Sequence, residues 1–114
     1  MKKLGILFAT ITMAMLFVIS ANAKEIAPAG QCGDNVYWSY NETTGELKIN
    51  GNGYMWNYNY GSSSFSYSDI KNVIIEYGVT SIGNSTFSSC QYLTSITIPD
   101  SVKTIGASAF NGCY

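Results

Sequence analysis

Two consecutive stretches of this chain carry the same apolar spacing, 23 positions apart. Ile70, Val73, Ile75, Val79, Ile82, Phe87 and Cys90 fall above Leu93, Ile96, Ile98, Val102, Ile105, Phe110 and Cys113, and Gly83 falls above Gly106. Chance agreement at so many spaced positions is implausible, so the second half is built from a repeated unit. One such unit cannot enclose its own apolar side chains. Neighbours must therefore stack, with equivalent residues forming ladders. Val73, Ile75, Ile96 and Ile98 alternate with Asn72, Ile74, Glu76, Ser95, Thr97 and Pro99, a period of two that gives each strand an inside and an outside. Phe87 and Phe110 are expected to plug the interior. Gly83 and Gly106 suit a turn that needs positive φ or close backbone approach.

The segment before the repeats reads as a β-hairpin. Val36, Trp38 and Tyr40 alternate with Tyr37 and Ser39, Asn41-Glu42-Thr43-Thr44-Gly45 is turn chemistry, and Glu46-Leu47-Lys48-Ile49 alternates again. This hairpin is expected to lie over the first repeat and shield its edge. Gly51-Asn52-Gly53 lacks the following helix or lysine of a phosphate loop and reads as a turn. Tyr54, Trp56, Tyr58 and Tyr60 then occupy every second position. If that stretch is extended, four rings share a face, either as a stacking platform for sugar rings or as core covering the solenoid end. The covering role carries the greater weight, because buried aromatics dominate small cores.

The stretch Leu93-Thr-Ser-Ile-Thr-Ile-Pro-Asp-Ser-Val-Lys-Thr-Ile-Gly-Ala-Ser-Ala-Phe-Asn-Gly-Cys113 resembles the BspA-type leucine-rich repeat. Residues 32–53 also resemble the segment that leads into such repeats. The resemblance implies a mainly β fold: a short leucine-rich-repeat solenoid of 23-residue repeats behind a β-hairpin leader. With a 1–23 signal peptide set aside, it gives a 24–69 leader or N-terminal cap and two repeats at 70–92 and 93–114. It also implies a surface or secreted binding protein, several members of the family being adhesins. Members usually carry many repeats, and about three are normally needed for stability. The chain is therefore expected to be truncated, or else its leader supplies most of the core.

Lys2 and Lys3, an apolar run from Leu4 to Ile19 and the Ala21-Asn22-Ala23 ending read as a secretory signal cleaved after Ala23. Its removal leaves four lysines against all seven acids, a net charge of −3, and nothing expected to insert in a membrane. The chain has no arginine and no histidine. Arginine-free and slightly acidic, it is poorly suited to nucleic acid. Lacking histidine, it has no imidazole base for a Ser or Cys nucleophile and no His-containing zinc site.

Cys90 and Cys113 occupy one repeat position, on adjacent rungs about 4.8 Å apart. Parallel ladder vectors keep their sulfurs from bonding well, so both are expected as small buried thiols. Three distant cysteines make a poor metal site, and no cofactor is expected. Among the carboxylates at Glu25, Asp34, Glu42, Glu46, Asp69, Glu76 and Asp100, Asp100 sits in a turn and Glu42 and Glu46 flank one, positions that are usually just solvated, so enzymatic activity is not expected. The glycosylation patterns at Asn41 and Asn84 matter only in a eukaryotic secretory pathway. The resemblance, with the export signal, implies non-catalytic binding outside the cell or at its surface, to a protein or matrix partner. The outward strand residues Asn72, Ile74, Glu76, Ser95 and Thr97 are the expected contacts. Trp56 and Tyr58 would serve a glycan if the aromatic stretch is a platform. The C-terminal repeat edge offers a site for self-association.

Overall fold

A computed structural model describes residues 26–113; the expected signal segment and Tyr114 lie outside the described residues. Eight strands and no helix are assigned among the described residues. They are β1 (Ala29–Gly33), β2 (Val36–Asn41), β3 (Glu46–Gly51), β4 (Gly53–Tyr54), β5 (Asn72–Ile75), β6 (Val79–Ile82), β7 (Ser95–Thr97) and β8 (Thr104–Ile105). One sheet has the order β1-β2-β3-β5-β7, the other β4-β6-β8.

The repeat spacing becomes strand register directly. β5 and β7 pair in parallel, with Asn72, Val73 and Ile74 opposite Ser95, Ile96 and Thr97. β6 and β8 do the same, with Ser81 and Ile82 opposite Thr104 and Ile105. The path is a solenoid: a strand in the wide sheet, a short strand in the narrow one, then a bend carrying the phenylalanine. Along the bends, Ser85, Phe87 and Ser89 donate their N–H groups to the carbonyls of Ala107, Ala109 and Asn111. The backbone polar groups there are thus satisfied from rung to rung, as buried backbone requires.

The hairpin expected over residues 36–49 is present, but it does not lie over the first repeat. β2 and β3 pair antiparallel from Val36 opposite Gly51 to Asn41 opposite Glu46. β3 then runs parallel to β5 in the same sheet, with Leu47 opposite Val73 and Ile49 opposite Ile75. β4 continues parallel to β6. Residues 46–71 therefore trace a complete turn of the solenoid, and the two repeats seen in the sequence form its second and third rungs. The edge is covered in plane by β2 and by β1, a strand the alternation did not announce. Gly30 belongs to that cover: a Cβ there would sit 2.6 Å from the Trp38 ring.

The core is a single cluster spanning all three rungs, with Val36, Trp38, Leu47, Ile49, Val73, Ile75, Val79, Ile82 and the Phe65 and Phe87 rings at its centre. Phe65, Phe87 and Phe110 stack at 5.5 Å centroid spacing, and the edge of Trp38 closes the stack on Phe65 at 5.3 Å. Burial fades in the third rung. Ile75 and Ile82 are 2% and 1% exposed, whereas Ile98 and Ile105, their equivalents one rung on, are 38% and 53% exposed. Ile98 was expected inside. No described residue lies beyond it to cover it.

Candidate binding surfaces

The outer face of the wide sheet is assembled by register. One row runs Ala29, Ser39, Lys48, Ile74 and Thr97 across all five strands. Its neighbour runs Asn41, Glu46, Asn72 and Ser95. This second row is tied together: Asn72 Nδ2 donates to Glu46 Oε2 at 3.2 Å, and Ser95 Oγ donates to Asn72 Oδ1 at 2.6 Å. The strand residues expected to face outward do so. Ser95 and Thr97 are exposed, Asn72 and Ile74 are half-buried, and Glu76, just past the end of β5, is exposed. The repeat pattern missed Glu46, Lys48 and Ser39, which share the face because β3 and β2 extend the same sheet. The alternation of Ser39 and Lys48 with buried Trp38, Leu47 and Ile49 was the signal that could have placed them there.

The four alternate rings of residues 54–60 do not form one platform. Tyr54 and Trp56 turn toward Asp34, whose Oδ1 accepts from Trp56 Nε1 at 3.0 Å and whose Oδ2 accepts from Tyr54 Oη at 3.4 Å. Tyr58 is half-buried; burial, with Cys32 as a lesser influence, pushes its hydroxyl pKa up to about 12. Tyr60 lies against the bends, where its hydroxyl accepts from Ser89 Oγ at 3.1 Å. Between them Met55 enters the core. The stretch divides because its backbone leaves the strand after Tyr54.

The bends are lined with hydroxyls that satisfy their own turns. Thr86 Oγ1 donates to the Gly83 carbonyl, Ser88 Oγ to that of Ser85, and Ser68 Oγ to that of Phe65. Cys90 Sγ donates to the Phe65 carbonyl and Cys113 Sγ to the Phe87 carbonyl, each at 3.1 Å. All three cysteines are thiols. Asn84, in one glycosylation pattern, uses its Oδ1 to accept from Ala107 N–H; Asn41, in the other, accepts from the N–H groups of Thr43 and Thr44. Among the described residues no cluster of His, Cys, Asp and Glu could hold a metal ion, and no helix is long and apolar enough to cross a membrane.

Comparison with known proteins follows the rungs. The chain is similar to a leucine-rich repeat protein from Eubacterium ventriosum ATCC 27560, solved by crystallography at 2.50 Å, with 28% identity and a TM-score of 0.66. The similarity covers 76% of this chain and 24% of that one, so this chain spans about a quarter of its relative's length. No curated protein matches it. Residues 59–114 match the family described as BspA type leucine-rich repeat region, a description of six copies. That match agrees with the parallel 23-residue register and the stacked phenylalanines: residues 59–114 are a BspA-type leucine-rich repeat region.

Proposed function

We propose that this chain is an exported, non-catalytic binding protein that engages a protein or matrix partner through the outer face of its wide sheet. The carrying observation is the register of that face. A five-strand row places the aliphatic Ile74 among Ser39, Lys48 and Thr97, beside the hydrogen-bonded Glu46–Asn72–Ser95 row. An apolar centre within a polar surround matches the anatomy of protein interfaces. Stacked strands present it rigidly, so little ordering entropy is lost on binding. Adhesion at a cell surface and secretion are parts of this reading that rest on family resemblance and on the Lys2–Ala23 sequence pattern. Self-association belongs to it too, supported by the exposed Ile98 and Ile105 of the third rung.

The experiment is surface plasmon resonance against a panel of immobilised extracellular-matrix proteins. Wild type should bind at least one, and Ile74→Lys or Glu76→Lys should weaken that binding about tenfold or more, as expected for a desolvated contact. The thermal midpoint should not move. Binding that survives both substitutions would refute this surface, and a blank panel would refute the matrix partner.

A further inference from the structure

We propose that Asp34, Tyr54 and Trp56 form a glycan-binding site for neutral pyranose sugars, separate from the wide sheet's outer face. The two rings sit two residues apart where the chain leaves β4, on either side of the buried Met55. Both hydrogen-bond to the same carboxylate, one to each oxygen. Even so the rings are not covered: Tyr54 is 51% exposed and Trp56 37%. Rings recruited as core would be shielded, as Phe65 and Phe87 are.

The three side chains come from segments that are fastened to one another. Trp56 N–H donates to the Cys32 carbonyl at 2.8 Å, and Asn52 N–H to the Asn35 carbonyl at 2.9 Å. Gln31 Nε2 donates to the carbonyls of Gly33 and Asp34, holding the turn that presents the carboxylate. Gly33 has no room for a side chain, because a Cβ would collide with the Tyr54 carbonyl. The arrangement is set before any ligand arrives, which spares the ordering cost of binding.

The chemistry favours a sugar. An indole or phenol face takes the C–H face of a pyranose. A carboxylate oxygen has two lone pairs, and one aromatic donor leaves the other for a ligand hydroxyl. Charge-assisted hydrogen bonds of that kind are stronger than neutral ones and directional. A basic peptide is the competing occupant, but Asp34 is the one acid among these three side chains and offers no second negative charge for a peptide to pair with.

Native affinity electrophoresis of the purified protein through gels containing dextran, mannan or galactan, with a polylysine gel alongside, tests the site. At least one polysaccharide should retard the wild type. Asp34→Asn and Trp56→Ala should each weaken that retardation about tenfold or more, the usual effect of losing a hydrogen bond to a charged group. Ile74→Lys should leave it intact. Asp34→Asn is an exposed change that leaves the core untouched, so it remains informative if Trp56→Ala unfolds. Trp56 emission should also shift to the blue with the retarding polysaccharide and stay fixed in Asp34→Asn. Wild type moving freely in all three sugar gels, variants retarded like wild type, or retardation by polylysine alone would each overturn the assignment.

Discussion

At Gly83 the chain passes so close to the Trp56 carbonyl that a methyl group has no room, and Gly106 meets the backbone and side chain of Asn84 one rung on in the same way. Neither glycine has positive φ; of the two reasons a repeat keeps glycine, close approach is the one that holds here. Left-handed backbone falls instead on Ser85 and Ser108, two residues later, and on Tyr67 and Ser89 in the bends. Nothing in the spacing distinguished these serines, since their conformation is imposed by rung stacking rather than by intrinsic preference. Thiols and phenols taken out of water, Cys113 among them, make stability depend on pH. Burial pushes the Cys32 thiol from an ordinary 9.0 to about 12, and burial, aided by Asp69 and Glu42, pushes Tyr40 from 10.0 to about 12. Tyr58 rises likewise. The fold therefore favours the protonated forms, so their contribution is intact below pH 9 and is lost as pH rises toward 12. Thermal midpoints measured from pH 8 to 12 should fall progressively above 9, and Cys32→Ala should flatten the first part of that fall. A profile flat to pH 12 in wild type would contradict it.

Among the elements, the phenylalanine ladder decides how rungs hold together. Phe65 and Phe87 are fully buried with stacked neighbours, whereas Phe110 is only partly buried. Truncating a buried ring to alanine costs about 3–5 kcal/mol, the spread depending on how far the site collapses. Phe65→Ala and Phe87→Ala should therefore lower the urea midpoint severely, and Phe110→Ala should do so by about half as much or less. Equal losses at all three would mean that the third rung is as well enclosed as the second. The sequence repeat displayed Phe87 and Phe110 but not Phe65, and the reason is an insertion. Phe65 lies eight positions after Asn57 where Phe87 lies three after Asn84, so five extra residues hide the first rung's period. The gap holding them, residues 58–64, begins inside the aromatic stretch, which is why that stretch looked like a feature of its own. Ser68 takes the place of Cys90 and Cys113 in that rung, but its hydroxyl donates to the Phe65 carbonyl of its own turn, whereas Cys90 and Cys113 donate to the phenylalanine carbonyl one rung back. Serine in place of cysteine also erased the repeated letter. The alternation in Leu47 and Ile49 was legible as a strand. That it pairs in parallel with β5 was not, because its offset is 26 rather than 23 residues.

For the whole molecule, three rungs and an in-plane cover replace two repeats behind a separate cap. Solenoid stability is close to a sum of weak single units and strong contacts between neighbours, so a rung gains most when both of its sides are covered. Here only the second rung has covered repeats on both sides; the first is closed by β2, β1 and Trp38, and the third keeps Ile98 and Ile105 exposed. The boundary at residue 69 is thus a boundary of the sequence period and not of the hydrogen bonding, which crosses it from β3 to β5 along four registered pairs. Purified residues 24–114 should melt in one cooperative transition, because a single core cluster reaches from Cys32 to Ala109. Residues 70–114 alone should show no transition at any temperature, since removing residues 24–69 uncovers Val73, Ile75 and Phe87 together and leaves two rungs, below the roughly three that such arrays require. Differential scanning calorimetry with light scattering reads both outcomes. It also reads self-association: scattering from residues 24–114 should rise with concentration and be flat in Ile105→Lys. A cooperative melt of residues 70–114 would show that the first turn is a dispensable cap after all.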